Sequence, residues 1–131
     1  MNVTVIDLGI GNLMSIIRGL EHCGAKVTVT SDSKVILNST HVVLPGDGAF
    51  KFAMQQIIAK DLLKVLTNFN KLKSNLLGIC IGMQILFDES SEFGETKGLG
   101  LISGKVLPIS NKTIDGKKLI SPHMGWNSLY K

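Results

Sequence analysis

The segment Gly78-Ile79-Cys80-Ile81-Gly82 sets a thiol between two glycines at the end of an apolar run. A G-x-C-x-G pattern where a strand passes into a helix predicts a sharp turn. The turn holds the cysteine in a strained backbone conformation, and the glycines let neighbouring backbone pass without a Cβ clash. A thiol placed this way stands at the mouth of a sheet, at a helix N-terminus whose unpaired amides and dipole favour a nucleophilic thiolate. The plainer alternative is a small buried cysteine in a glycine-rich strand end. A second candidate is Leu44-Pro45-Gly46-Asp47-Gly48-Ala49-Phe50. Two glycines flanking one residue after a strand can turn a backbone amide toward a neighbouring strand's tip, where it would stabilise the oxyanion of a tetrahedral acyl intermediate. Taken alone, the same residues suit a Pro-Gly turn leading into a helix.

A nucleophilic cysteine ordinarily needs a base within hydrogen-bonding reach. The chain has three histidines. His22 falls on the first predicted helix, and His41 opens a strand at the end away from the predicted site. His123 lies in the segment SPHMGWN, where a structural or interface role outweighs a catalytic one. The loop Gly9-Ile10-Gly11-Asn12 invites a dinucleotide-binding interpretation, which fails because Met14 stands where the third small residue of that fingerprint is required. Cys23 and Cys80 lack C-x-x-C or C-x-x-H spacing, so neither a metal site nor another cofactor is expected, and a reducing compartment is.

The elements that must position these residues follow from periodicity. Asn2 to Asp7 is rich in β-branched residues and predicts a strand running into a tight loop. Leu13, Ile16, Ile17 and Leu20 form a helical stripe that stops before Gly24, with Cys23 on the last turn and expected to pack against the sheet. Strands are predicted at Lys26 to Thr30 and at His41 to Leu44. Phe50, Ala53, Met54 and Ile57 repeat the helical spacing, and Asp61 is placed to cap a further stretch carrying Leu62, Leu66 and Phe69. The strand Leu76 to Cys80 is apolar throughout and leads into a helix through Phe87. Strands alternating with helical crossovers imply an α/β fold, a largely parallel sheet flanked by helices. Beyond Gly94, GLGLISGKVLPI and KKLISPHMGWNSLY look strand-like, with Asp115-Gly116 suited to a hairpin turn, so an antiparallel appendage is expected there.

Composition bounds the rest. With 131 residues, 44% of them apolar, the chain can bury the core of one domain. Its net charge of +4 is scattered, without the basic runs and interleaved aromatics of a nucleic-acid surface. No signal segment or long apolar run is evident, so a cytosolic protein without nucleic-acid or membrane partners is the expectation.

Taken together, the motifs resemble one family over the whole chain. They are D-x-G-x-G-N-L-x-S at Asp7 to Ser15, L-P-G-x-G-A-F at Leu44 to Phe50, and L-G-I-C-x-G-M-Q at Leu77 to Gln84. S-x-E at Ser90 to Glu92, K-G-L-G-L at Lys97 to Leu101 and P-H-M-G-W-N at Pro122 to Asn127 continue the pattern. This set is similar to the glutamine amidotransferase subunit of imidazole glycerol phosphate synthase, a class I glutamine amidotransferase with a flavodoxin-like sheet. The resemblance implies that Cys80 attacks the side-chain amide of glutamine, forms a glutamyl thioester and releases ammonia. It implies that the backbone amides of Ile81, Asp47 and Gly48 serve the oxyanion. Gly46, Gln84 and Glu92 would bind the substrate, Glu92 through its α-amino group. Asn12, Met124 and Trp126 would face a cyclase barrel that forms the heterodimer and receives the ammonia for histidine biosynthesis.

Two departures accompany the resemblance. The residue between Gly46 and Gly48 is usually small and apolar in the family, and here it is Asp47, a carboxylate beside a developing oxyanion. The family also carries an H-x-E pair that activates and orients the thiol, and none of the three histidines has a glutamate two residues on. The expectation is therefore a single, incomplete amidotransferase domain over residues 1–131 with little or no turnover of its own. Two alternatives stay open: a non-catalytic partner-binding remnant, and an amidotransferase supplying ammonia for surface-polysaccharide sugar synthesis.

Overall fold

A computed structural model of the chain describes residues 1–71, 74–112, 115–118, 125–126 and 128. Strand β1 (Asn2–Ile6) alternates, sending Val3 and Val5 to one face and Thr4 and Ile6 to the other. It pairs in parallel with β2 (Lys26–Thr30) on one side and β3 (His41–Leu44) on the other, and β3 pairs in parallel with β4 (Asn75–Gly78). The order is β2-β1-β3-β4. Parallel neighbours need crossovers, and helices supply them. They are α1 (Leu13–His22) after β1, α2 (Ser33–Leu37) after β2, and α3 (Phe50–Ala59) with α4 (Leu63–Thr67) after β3.

Such a sheet must be covered on both faces. Leu13, Ile16 and Leu20 of α1 pack over Val3, Val5 and Val43. On the opposite face Ile36 of α2, Leu66 of α4 and all four predicted residues of α3 enclose Ile6, Val42 and Leu44. Phe50 and Ile57 are fully buried. Burial of each side chain of this kind contributes about 1.5–3 kcal/mol. Among the described residues no helix is long and apolar enough to cross a membrane.

Several expectations are corrected. Strand β4 ends at Gly78 and forms an edge of the described sheet, with Leu77 54% exposed, so an apolar run here does not mean burial on both faces. Asp61 caps no helix. It adopts φ 54°, and the amides of Asp61 and Leu62 close α3 by donating to the carbonyls of Ile58 and Ile57. An aspartate tolerates this left-handed position, and there it ends the preceding helix instead of starting the next. Cys23 is exposed, because α1 stops at His22 and the chain turns away at Gly24, φ 81°. Helix α2 has no apolar stripe to announce it; it is capped by Asp32, whose Oδ1 accepts from the Lys34 amide at 2.7 Å.

The largest correction follows Cys80. Helix α5 covers only Ile81–Gln84, and Phe87 belongs to a strand, β5 (Phe87–Ser90). The carbonyls that a longer helix would turn inward are taken from outside: the Ile85 carbonyl accepts from Leu99, and that of Leu86 from Leu101 and Ile102. Strand β5 pairs antiparallel with β6 (Thr96–Lys97) and parallel with β7 (Ile102–Val106), so the appended sheet starts before Gly94 and is mixed. Glu89 faces Lys105 across β5 and β7, and their ion pair holds the Lys105 ammonium above its ordinary pKa. Asp115-Gly116 is bracketed by a lone antiparallel bridge between Lys112 and Lys118. Most of the strand expected in KKLISPHMGWNSLY lies outside the described residues.

Candidate active site

Cys80 lies two residues past the end of β4 and adopts φ 56°, ψ −121°, a conformation that a side-chain-bearing residue holds only when its surroundings enforce it. The enforcement is visible in the flanking glycines. A Cβ on Gly78 would stand 2.6 Å from Met83 Cα, and one on Gly82 would overlap the Leu44 carbonyl oxygen. Backbone therefore packs on backbone: the start of α5 is wedged against the end of β3, and the thiol is pushed outward, exposed. Gly82, Met83 and Gln84 bond back to Ile79 and Cys80, which fastens the turn. Among the described residues the Ile81 amide has no acceptor. Four residues make a single helical turn, so the dipole expected from a longer helix contributes little, and the free amide is what the elbow offers.

The Gly46-Asp47-Gly48 loop leaves the end of β3 beside this elbow. A Cβ on Gly46 would stand 2.8 Å from the Gly82 nitrogen, so the loop and the elbow are in backbone contact. Gly11, at φ 87°, brings the loop after β1 against the same place; a Cβ there would lie 3.5 Å from Asp47 Cβ. All three loops leave the C-terminal ends of parallel strands, where open α/β sheets present their sites. The Asp47 side chain does not simply point to solvent. Its Oδ1 accepts from the Gly48 amide at 2.8 Å, so one of the two loop amides expected to serve an oxyanion is engaged, while the amide of Asp47 itself has no acceptor among the described residues.

Gln84 is half-buried on α5, next to the elbow. Glu92, two residues past β5, is also half-buried. Its Oε2 accepts from the Phe50 amide at 2.8 Å, and its own amide donates to Oγ of the buried Ser90 at 3.1 Å. Asn12 is exposed and caps α1, its Oδ1 accepting from the Ser15 amide at 3.1 Å; in the same motif Asp7 Oδ1 takes the Gly9 amide. Trp126 is fully exposed. Met124, Pro122 and His123 lie outside the described residues.

Two histidines can be located relative to the thiol. His41 pairs with Asn75 at the opposite end of β3 and β4 from Gly78, and His22 ends α1, whose first residue is the one near the site. Neither is placed to serve Cys80. Among the described residues no three His, Cys, Asp or Glu side chains gather as a metal site would require. The partnership of Glu92 with Phe50 leaves no local trace in the sequence beyond the S-x-E spacing.

The order β2-β1-β3-β4, with a cysteine elbow and a glycine loop side by side at its C-terminal edge, defines a parallel α/β domain with a nucleophile-type elbow. The sequence profile described as "Glutamine amidotransferase class-I" matches residues 4–131, and the chain belongs to that family. It is 44% identical over 127 residues to "Imidazole glycerol phosphate synthase subunit HisH" of Geobacillus sp. (strain WCH70), covering 97% of this chain and 60% of that protein. The protein of the same name from Bacillus cereus (strain ATCC 14579) is 44% identical over 131 residues, covering 98% and 59%. "Imidazole glycerol phosphate synthase subunit HisH 1" of Legionella pneumophila (strain Lens) is 37% identical over 128 residues, covering 98% and 60%. The chain thus spans about 60% of the length of these relatives.

Proposed function

We propose that this chain is glutaminase machinery of an imidazole glycerol phosphate synthase, working in the cytosol on glutamine. The Cys80 sulfur attacks the side-chain amide carbon, the C–N bond breaks, and nitrogen leaves as ammonia after taking up a proton. Water then cleaves the thioester and releases glutamate. The observation that carries this proposal is the elbow. Cys80 is held exposed at φ 56°, and the Gly46 loop sits against Gly82, so a carbonyl attacked by the sulfur would find the free Ile81 and Asp47 amides close by. Gln84 and Glu92 border the same edge and would hold the amino-acid end of the substrate. The ammonia would pass to a cyclase barrel docked on the surface that includes Asn12 and the exposed Trp126. The names of the relatives favour histidine biosynthesis over sugar modification.

Among the described residues no histidine is placed to act as a base for Cys80. His22 and His41 point to no role at the thiol, and general-base assistance is worth typically about 10²–10⁴-fold. The 131 residues alone should therefore turn over glutamine slowly at best, and a segment equivalent to the relatives' remaining length should raise the rate. The test is ammonia and glutamate release by the chain with a cyclase partner, with and without that segment, against Cys80→Ala. Release that depends on both Cys80 and the segment is expected. Release unaffected by Cys80→Ala would overturn the proposal, and full turnover without the segment would place the base within these residues.

A further inference from the structure

Helix α3 begins without a cap of its own. Its N-cap residue is Ala49, which offers no side-chain acceptor, and its first turn contains no acidic residue. Helix N-termini leave their first amides unpaired, and a Ser, Thr, Asp or Asn at the cap ordinarily meets one of them. Here the acceptor comes from 42 positions away. Glu92 Oε2 takes the Phe50 amide at 2.8 Å in a partly buried setting, where a carboxylate at a helix N-terminus is both a strong acceptor and matched to the dipole. Glu92 is itself fastened, because its amide donates to Oγ of Ser90, which is 1% exposed. Phe50 is fully buried, and only Ala49 separates it from Gly46-Asp47-Gly48. The carboxylate therefore ties the end of β5 to the residue where the loop beside Cys80 enters α3. Among the described residues no donor meets Glu92 Oε1, so a single oxygen carries the anchor.

We propose that Glu92 is a positioning residue: by accepting from the Phe50 amide it fixes the Gly46–Gly48 loop against the cysteine elbow, in addition to recognising the ammonium of an amino-acid substrate. The inference deepens the glutaminase proposal and rests on it for its catalytic consequence. The two roles separate by chemistry. Glu92→Gln keeps an oxygen able to accept from Phe50 but loses the charge that an ammonium needs, whereas Glu92→Ala loses both.

The experiment uses the 131-residue chain and two readouts. Amide hydrogen exchange at Phe50 and Gly48 reports the anchor with no chemistry involved. Saturation kinetics of Cys80 alkylation by a chloroketone analogue of glutamine report function, because the ketone oxygen must enter the oxyanion site as sulfur attacks. In Glu92→Ala, exchange at Phe50 should quicken by about tenfold or more, and both the maximal alkylation rate and the half-saturating concentration should worsen. In Glu92→Gln, exchange and maximal rate should stay within about twofold of wild type, with only the half-saturating concentration raised. Equal behaviour of the two variants, with Phe50 exchange unchanged, would overturn the positioning role. So would a maximal rate unaffected in Glu92→Ala. If wild-type Cys80 is not labelled at all, the glutaminase proposal fails, and the exchange arm still decides whether Glu92 anchors the loop.

Discussion

At Asp47 the chain puts a carboxylate between two glycines, in a loop whose Asp47 and Gly48 amides are expected to face a developing negative charge. Its Oδ1 holds the Gly48 amide, so that amide is engaged within the loop. For that amide to reach an oxyanion, the carboxylate must let go and swing away. Asp47→Ala removes both the competing acceptor and the like charge, and should speed alkylation of Cys80 by the glutamine chloroketone about tenfold. Asp47→Asn, which retains an acceptor, should gain less. An unchanged or slower rate in Asp47→Ala would show that the Gly48 amide takes no part. Residue-level chemistry was legible wherever it is local. Cys80 and its two glycines lie within five positions, and the backbone contacts that fix them follow from the absence of Cβ. The role of Glu92 was not, because its partner is far away in sequence and is a backbone amide, which every residue possesses.

Among the elements, the tight contact of α5 with β3 does most to place the sulfur. Gly82 sits so close to the Leu44 carbonyl that any side chain must displace one backbone from the other. Gly82→Ala should therefore destabilise the fold by about 1–3 kcal/mol and lower Cys80 labelling in parallel. Gly48→Ala meets no neighbour but must adopt φ 83°, and should cost about 1 kcal/mol. Urea denaturation checks both, and a Gly82→Ala protein as stable as wild type would contradict the wedge. The four parallel strands and the long helices were readable because their apolar periodicity is strong. The end of α5 was not. Gly82 to Phe87 has the composition of a helix, yet the amides of Leu99, Leu101 and Ile102 claim the carbonyls of Ile85 and Leu86, a tertiary competition that no local pattern records. Helix α2 and strand β6 are too short to show periodicity.

As a whole, the molecule gathers the loops after β1, β3 and β4 at one edge of a parallel sheet, and the exposed Trp126 lies in the segment proposed above to face a partner. A tryptophan with no burial of its own is a natural interface anchor. Trp126→Ala should weaken binding to a cognate cyclase barrel by about 2 kcal/mol or more without altering thermal stability, as calorimetry would show; unchanged affinity would move the interface elsewhere. The central claim, that Cys80 is the nucleophile of a glutamine site, has a more direct test. Both cysteines are exposed, so accessibility alone does not distinguish them, and recognition of glutamine must. The measurement is peptide mapping by mass spectrometry after brief treatment with the glutamine chloroketone, with and without excess L-glutamine. A single adduct on Cys80 is expected, suppressed by L-glutamine and not by D-glutamine. Modification of Cys23 at an equal or greater rate, or an adduct on Cys80 indifferent to L-glutamine, would contradict it.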